Sequence, residues 1–227
     1  MPQKRPSRRD AEKERRRDEI LEVATRLFAE RGLENVTFGD IAKATKLSRP
    51  LIYFYFPDKE TLFLEAVARS DQELHSRFVL AVKPHLNGRD QINAVGRAYL
   101  AYLQERPSCF HLLAAYSAKG KDPGAELHPL RANIEEMHSR TMGLLTDTLA
   151  RGIKEGVLRK DLGDLLQVAT CLWGFTHGIA QLIAIKGEHL AEFHGLDPAA
   201  TIETAFELLT AALTPPKARK KKSKRAR

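Results

Sequence analysis

The chain of 227 residues has little cysteine and tryptophan, with two residues of the first and one of the second. Cys109 and Cys171 lie far apart and without metal-ligand spacing, which argues against a disulfide framework and a zinc site. No uninterrupted apolar run approaches about eighteen residues, and the N-terminal segment MPQKRPSRRDAEKERRR has no apolar signal region. We therefore expect a cytoplasmic protein that is neither secreted nor membrane-spanning.

The sequence also lacks the short motifs of common enzyme classes. It has no glycine-rich phosphate loop, no HExxH, no GxSxG and no cluster of His or Cys at metal-ligand spacing. A catalytic site could be imagined only by combining His177 with Cys171 or Asp164. We expect no enzymatic activity, no metal and no cofactor.

Positive charge is concentrated at the ends of the chain. The net charge is +8, and the last eleven residues, KARKKKSKRAR, hold eight Lys or Arg. Without these eight the chain has 29 basic residues, as many as its Asp and Glu. We expect a flexible basic arm over 1–9 and a disordered polybasic tail over 215–227, because dense like charges cannot form a core. The stretch from Lys4 to Arg17 either follows a DNA groove or extends the first helix as a solvated surface.

Apolar residues recur at helical spacing almost throughout, and no pair of alternating strands is visible, which predicts an all-α fold. A first helix is expected over about 10–31. Thr37 and Asp40 have the spacing of a capping box and begin a short helix over about 38–44. Proline and glycine residues divide the remainder into helices near 58–82, 90–105, 108–118, 128–155, 161–186 and 198–213.

The stretch SRPLIYFYFPDKE, from Ser48 to Glu60, has β-branched or aromatic residues at every position of its middle, which alone would favour a strand. Its flanks favour a helix, because Ser48 is a good N-cap and Pro50 suits the first turn. Two short helices joined by a tight turn indicate a helix-turn-helix, a motif that binds DNA. The alternative, an ordinary helical hairpin in a core, would not explain the hydroxyl groups of Tyr53 and Tyr55.

Residues 16–66 resemble the DNA-binding domain of the TetR family of bacterial repressors over its full length. The motifs that match are LFAERG, the threonine cap, DIAKA, the Leu-Ser turn exit, IYxYF and DKExL. The resemblance implies about nine helices. A three-helix, helix-turn-helix DNA-binding domain would cover 10–57, and an effector-binding and dimerisation domain would cover 58–214.

The resemblance also assigns roles at the DNA end. It implies that Ile52 and Phe56 pack inward while alternate rings reach DNA, and that a lysine contacts phosphate. Lys46 stands where many relatives have glycine, so we expect a non-glycine residue in a left-handed conformation. Gly39 replaces a base-reading side chain, which makes Arg49 the main candidate for reading guanine, with a phosphate contact as the alternative. The predicted DNA-binding residues are Thr37, Phe38, Gly39, Arg49, Pro50, Tyr53, Tyr55 and Lys59.

The resemblance implies two further sites. The last two helices, at about 161–186 and 198–213, would form a homodimer interface, since they are apolar around much of their circumference; burial within a monomer is the alternative. A cavity among helices four to eight would hold a small-molecule effector, although side chains of these types are usually core. The candidate lining residues are Tyr99, Tyr102, Leu103, Phe110, Leu113, Met137, Thr141, Met142, Leu145, Trp173 and His177, with His138 as a further candidate.

The sequence therefore predicts a ligand-responsive transcriptional regulator of the repressor type. It would bind a pseudo-palindromic, double-stranded DNA operator as a homodimer, and a small, largely apolar effector would release it. The alternatives are a constitutive or architectural DNA-binding protein without an effector, and an all-α enzyme.

Overall fold

The computed structural model of the chain describes residues 7–118 and 128–216. Within those ranges the regular structure consists of nine α-helices and no strands, which confirms the all-α expectation. The helices are α1 (Arg8–Arg31), α2 (Phe38–Thr45), α3 (Arg49–Tyr55), α4 (Lys59–Ala81), α5 (Gly88–Glu105), α6 (Pro107–Ala118), α7 (Pro129–Lys154), α8 (Leu165–His194) and α9 (Pro198–Leu213). The polybasic tail from residue 217 and the arm before residue 7 lie outside the described residues.

Most helix ends agree with the sequence to within a few residues, but the expected end of α8 near residue 186 is wrong. We expected Gly187 to interrupt the helix. Instead, Gly187 is buried inside the helix, where a β-carbon would make only ordinary contacts, 3.7 Å from Ile183 Cγ2 and 3.8 Å from Pro198 Cγ. The helix ends at Gly195, which has φ 64° and ψ 20° and so adopts the left-handed conformation that glycine tolerates best.

The helix-turn-helix is defined by its caps. Thr37 caps α2 by accepting a hydrogen bond from the Asp40 amide, and Asp40 accepts one in return from the Thr37 amide, as the capping-box spacing predicts. Lys46 ends α2 in the left-handed conformation, with φ 56°, which confirms that expectation. Ser48 then caps α3 by accepting from the Leu51 amide.

The described residues pack as two compact units. The first contains those of Met1–Arg77 and Tyr99–Arg140, which include α1 to α3, most of α4, α6 and the first half of α7. Its core joins all of these helices, and the rings of Phe28 in α1 and Phe63 in α4 meet edge to face at 5.5 Å. The helices of the DNA-binding motif therefore share one core with α6 and α7. The predicted boundary between residues 57 and 58 stays a prediction.

The second unit contains the described residues of Phe78–Ala98 and Thr141–Arg227, which include the beginning of α5, the end of α7, α8 and α9. Here α5 begins directly against α7. A β-carbon at Gly88 would overlap the backbone of Gly152 and lie 2.7 Å from the carbonyl oxygen of Thr148. The two helices can approach this closely only because position 88 has no side chain.

Helix α8 is also long and apolar enough to cross a membrane, judged by length and composition alone, with a mean hydropathy of 1.5 in its most apolar window. Only 11% of that window is buried within the structure. A soluble helix whose apolar face is covered by a partner has the same properties. The finding is therefore weak support for a membrane span.

We expect Gly88→Ala to lower the free energy of unfolding by about 1–3 kcal/mol, because the added methyl group forces α5 away from α7. Gly143→Ala is a matched control in α7, where an added β-carbon meets no atom within 4 Å. That change should raise the free energy of unfolding by about 0.5–1 kcal/mol, because alanine lowers the conformational entropy of the unfolded chain. Urea unfolding of both variants measures the difference. Equal effects would contradict the close approach of the two helices.

Candidate nucleic-acid interface

Most of the predicted DNA-binding residues surround one open cleft of about 350 Å³ at the helix-turn-helix. Five of them line it: Thr37, Phe38, Arg49, Tyr53 and Lys59. The other three lie nearby in the chain but do not line the cleft: Gly39 on α2, and Pro50 and Tyr55 on α3. The structure thus brings residues of α2, α3 and the start of α4 together on one surface.

Arg49 occupies the first position of α3 and is exposed. Its guanidinium lies beside Gly39: a β-carbon built on Gly39 would be 4.0 Å from Arg49 Nε and 3.4 Å from Thr37 Oγ1. The missing side chain at Gly39 therefore leaves room for the arginine at the start of α2. An arginine with this freedom can place its fork of N–H donors on a guanine edge or on a phosphate.

Lys59 is positioned by a contact that the sequence did not indicate. Its ammonium group donates a hydrogen bond to the main-chain oxygen of Glu34, at 3.3 Å, in the turn between α1 and α2. The neighbouring acid, Asp58, accepts hydrogen bonds from the Thr61 amide and hydroxyl at 2.6 and 2.9 Å and so caps α4. Arg49 and Lys59 are thus the two cationic groups that line the cleft.

The aromatic side chains of α3 follow the helical period and not the simple alternation that we expected. Ile52 and Phe56 are fully buried, in agreement with the sequence. Tyr55, predicted to reach DNA, is half-buried and packs against the core, whereas Phe54 is 67% exposed. At about 100° per residue, positions 52, 55 and 56 share the inner side of a helix while positions 53 and 54 point outward. The exposure of Phe54 was therefore not predicted, although its position on the helix could have indicated it.

The ring of Tyr53 packs against the ring of Phe38, which is buried from solvent. Phe38 is only 5% exposed and meets Tyr53 edge to face, with ring centroids 4.7 Å apart. Edge-to-face packing of this kind stabilises one orientation of the outer ring. Phe38 thus positions Tyr53, and a direct contact between Phe38 and DNA requires the ring to move.

The beginning of α1 lies beside α3. The helix starts at Arg8, where Ser7 and Asp10 form a capping box, so the described part of the basic arm is helical. Lys13 Nζ lies 5.6 Å from the centre of the Phe54 ring, and Arg17 pairs with Glu65 and lies over the Phe56 ring. The extension of α1 is therefore packed onto the motif, and its contact with DNA remains a prediction.

The predicted ligand-lining residues divide between the two units. Tyr99, Tyr102, Leu103, Phe110, Leu113 and Met137 belong to the first, and Thr141, Met142, Leu145, Trp173 and His177 belong to the second. In the first unit the Tyr99 and Phe110 rings lie 5.9 Å apart. Tyr102 is fully buried and donates its hydroxyl hydrogen to the carbonyl oxygen of Ser70, at 2.9 Å, so that hydrogen is unavailable to a ligand while the bond stands.

In the second unit, Thr141 and Leu145 are buried, and the rings of Trp173 and His177 lie 5.5 Å apart on successive turns of α8. Burial lowers the pKa of His177, because it disfavours the charged imidazolium. A neutral imidazole can accept or donate one hydrogen bond to a ligand. Trp173 is partly exposed on α8, so the role predicted for it in a cavity stays a prediction.

Among the described residues, no group of three or more His, Cys, Asp or Glu side chains is arranged to hold a metal ion. Cys109 is buried and Cys171 is exposed, and both are free thiols.

Two family models match the chain. Residues 20–66 match the model described as bacterial regulatory proteins of the tetR family, and residues 92–213 match the tetracyclin repressor-like C-terminal domain. The second match alone spans more than half of the 227 residues.

The curated relatives include repressors and regulators of the helix-turn-helix type. KstR2 of Mycobacterium tuberculosis is 26% identical over 147 residues, which cover 65% of this chain and 71% of that protein. AcnR of Corynebacterium glutamicum is 53% identical over 55 residues, 24% of this chain and 29% of its own length. AcrR of Shigella flexneri is 41% identical over 58 residues, 26% and 27% of the two chains, so both of these short matches span less than a third of the relative.

The solved structure of KstR2 from Mycobacterium tuberculosis has the same fold. It superposes with a TM-score of 0.69 at 21% identity, covering 88% of this chain and 96% of that one. Together with the helix-turn-helix geometry and the two family models, this similarity leads to one conclusion: the chain belongs to the TetR family of bacterial regulatory proteins.

Proposed function

We propose that the protein is a ligand-responsive transcriptional repressor that binds a pseudo-palindromic DNA operator as a homodimer. The observation that carries the proposal is the cleft at the helix-turn-helix, which brings Arg49, Tyr53 and Lys59 to one surface. The curated relatives include repressors with this motif, among them KstR2 and AcnR. A protein with this function works in the cytoplasm and needs no catalytic group, cofactor or metal, and we propose none of them.

Reading of the operator is proposed to depend on Arg49, with Lys59 on phosphate. Arginine can donate two hydrogen bonds to O6 and N7 of one guanine, a contact that discriminates between bases, whereas lysine on phosphate does not. Arg49 makes no ion pair with an acidic side chain in the described part of the chain, and Gly39 leaves space beside it. Its guanidinium can therefore reorient toward a base or a phosphate. Tyr53, fixed by Phe38, adds a hydroxyl at the same surface.

Dimerisation is proposed to cover the exposed apolar side chains of α8 and α9. A monomer would leave a large apolar surface in water, and contiguous apolar patches usually mark an interface. A β-carbon at Gly174 or Gly178 would meet no atom within 4 Å, so a second helix can approach α8 closely there. The exposed large apolar residues on α8, α9 and the segment between them are Leu166, Trp173, Phe175, Leu182, Ile185, Phe193, Leu196 and Leu208.

The dimer interface supports a symmetric operator. A two-fold homodimer presents two equivalent copies of α3, which then contact two equivalent half-sites about one helical turn of DNA apart. Contact with a second protein chain would also explain the apolar composition of α8 without a membrane.

The effector is proposed to be a small, largely apolar molecule, bound by the first unit, the second unit or both. Support comes from the aromatic and sulfur-containing side chains among the candidate lining residues of each unit, which suit apolar ligands. The alternative, a constitutive DNA-binding protein without an effector, predicts DNA affinity that no small molecule changes.

We expect Arg49→Ala to relax the preference of the protein at one base pair in each half-site, at a cost of about 1–3 kcal/mol per half-site. Lys59→Ala should weaken binding to all sequences equally and reduce its salt dependence. Selection of an operator from random DNA, followed by affinity measurements on its single-base variants, tests both. Arg140→Ala is the control, since this exposed arginine of α7 pairs only with Glu136 among described residues. Uniform weakening by Arg49→Ala would make Arg49 a phosphate contact instead.

We expect Ile185→Glu to convert the dimer to a monomer, because the partner helix would bury the new carboxylate without a partner. Light scattering after size-exclusion chromatography gives the mass, and circular dichroism shows whether the fold is kept. Leu80→Glu is the matched control, since Leu80 in α4 is 74% exposed and Ile185 is 73% exposed. If both variants remain dimers, the interface does not include this part of α8.

We expect any effector that releases the operator to obey reciprocity. A coupling of about 1–3 kcal/mol would lower operator affinity by about 5- to 150-fold, and saturating operator DNA must then weaken effector binding by the same factor. Isothermal titration of the effector, with and without operator, measures this factor. If effector and operator bind with no mutual effect, the protein is a constitutive DNA binder.

A further inference from the structure

A buried carboxylate in α4 is without a full set of partners. Asp71 is only 3% exposed, and its Oδ2 atom has no hydrogen-bond partner among the described residues. The nearest opposite group is His138 in α7, whose Nε2 lies 3.6 Å from Asp71 Oδ1. That separation is too long for a good hydrogen bond, and the imidazole carries a positive charge only when it is protonated.

Three arginines of the same unit are already paired with other carboxylates. Arg77 pairs with Glu73 and Glu105, and Arg106 pairs with Glu22 and Glu73. Arg131, on the same helix as His138, pairs with Glu60. None of these arginines is held at Asp71, so its charge is left without a permanent counterion.

This arrangement disfavours the ionised form of Asp71. Burial raises the pKa of its carboxyl, and the positive charge of His138 lowers it to a smaller extent. When the pKa of a carboxyl is higher in the folded chain than in the unfolded chain, its protonated form stabilises the fold. This stabilisation is complete below the unfolded pKa of about 4, and it is lost as the pH rises through the folded pKa. A buried water could satisfy Oδ2 but would not supply the missing charge. A cation would supply it.

The surroundings of Asp71 suit such a cation. The His138 side chain is 42% exposed and that of Asp71 only 4%. The imidazole therefore lies between the carboxylate and solvent. A buried carboxylate attracts protonated amines and quaternary ammonium groups, because the interaction of opposite charges is strong where little water screens it. An anionic ligand would be repelled.

We propose that Asp71, with His138 beside it, binds the positively charged nitrogen of the effector, which is then a largely apolar molecule with one amine or quaternary ammonium group. Both residues belong to the first compact unit. The inference rests on the proposed ligand response and narrows it to one chemical class. His138 swings toward solvent as the cation takes its place, or remains as a neutral hydrogen-bonding group.

The test uses small probes that differ in charge and share one hydrocarbon group. Hexylamine, hexan-1-ol and hexanoate form one series, and benzyltrimethylammonium with benzyl alcohol forms a second. Each is titrated into the full-length protein, and binding is followed by isothermal titration and by the rise in melting temperature. We expect the two cations to bind, and the alcohols and hexanoate to bind about tenfold or more weakly.

Asp71→Asn removes the charge and keeps the shape. This variant should lose about tenfold or more of its affinity for both cations and fold at least as stably near neutral pH, since an uncompensated buried charge is gone. Asp147→Asn, an exposed aspartate of α7, is the matched control and should bind the cations as the wild type does. The charge series on the wild type keeps the test decisive if Asp71→Asn folds poorly.

Three results would overturn the inference. The first is equal binding of cation and alcohol by the wild type. The second is undiminished cation binding by folded Asp71→Asn, which would mean that the carboxyl acts in its neutral form. The third is no cation binding at all, together with a pH-dependent stability that His138→Gln abolishes, which would leave Asp71 as the partner of His138 only.

Failure of the proposed function is distinguishable from failure of this inference. Operator binding of the wild type and of Asp71→Asn is measured separately, and both should bind the selected DNA equally well without probe. Cation binding that leaves DNA affinity unchanged would keep the Asp71 site and remove the ligand response. Intact operator binding with no preference for cations would remove the Asp71 site alone.

Discussion

The packing of Phe28 against Phe63 is the contact on which the DNA-binding surface depends. These two rings lie in a single core that also contains Ile41 of α2 and Ile52 of α3, and that extends to Leu112 of α6 and Ile134 of α7. Close-packed cores respond to displacement by shifting as a whole or by switching between arrangements, because they contain few voids to absorb it. The side-chain contacts of this core offer a path by which a movement of α6 or α7 would reach α3 within one unit.

The ion pairs around this core have a different role. Arg106, between α5 and α6, donates two hydrogen bonds to Glu22 of α1, and Arg131 joins α7 to α4 through Glu60. Each pair is partly exposed, so solvent screens it and its stabilisation is about 0–1 kcal/mol. Such pairs help to align the helices. Breaking one of them costs little free energy. Asp71 is the opposite case, because the protein has buried its charge without a strong partner.

Local chemistry made the DNA end of the fold predictable from sequence, and tertiary packing limited the rest. The caps at Thr37 and Ser48 and the left-handed Lys46 depend on residues a few positions apart, so the sequence could identify them. Gly187 was misjudged because a glycine inside a helix costs only about 1 kcal/mol relative to alanine, which does not by itself end the helix. The exposure of Phe54 was available from the helical period. The burial of Asp71 was not, since it depends on where α7 lies against α4.

Helix α4 links the two ends of the proposed mechanism. Lys59 at its start faces the DNA cleft, and Asp71 lies twelve residues further along, about 18 Å at the rise of an α-helix. Neutralising a buried charge changes the free energy by several kcal/mol, while allosteric coupling typically needs only 1–3 kcal/mol. Under the proposed mechanism, a cation bound at Asp71 would need to contribute only part of this free energy to shift the position of Lys59. Only the part of that energy that differs between the DNA-bound and DNA-free conformations is effective, so the environment of Asp71 must differ between them.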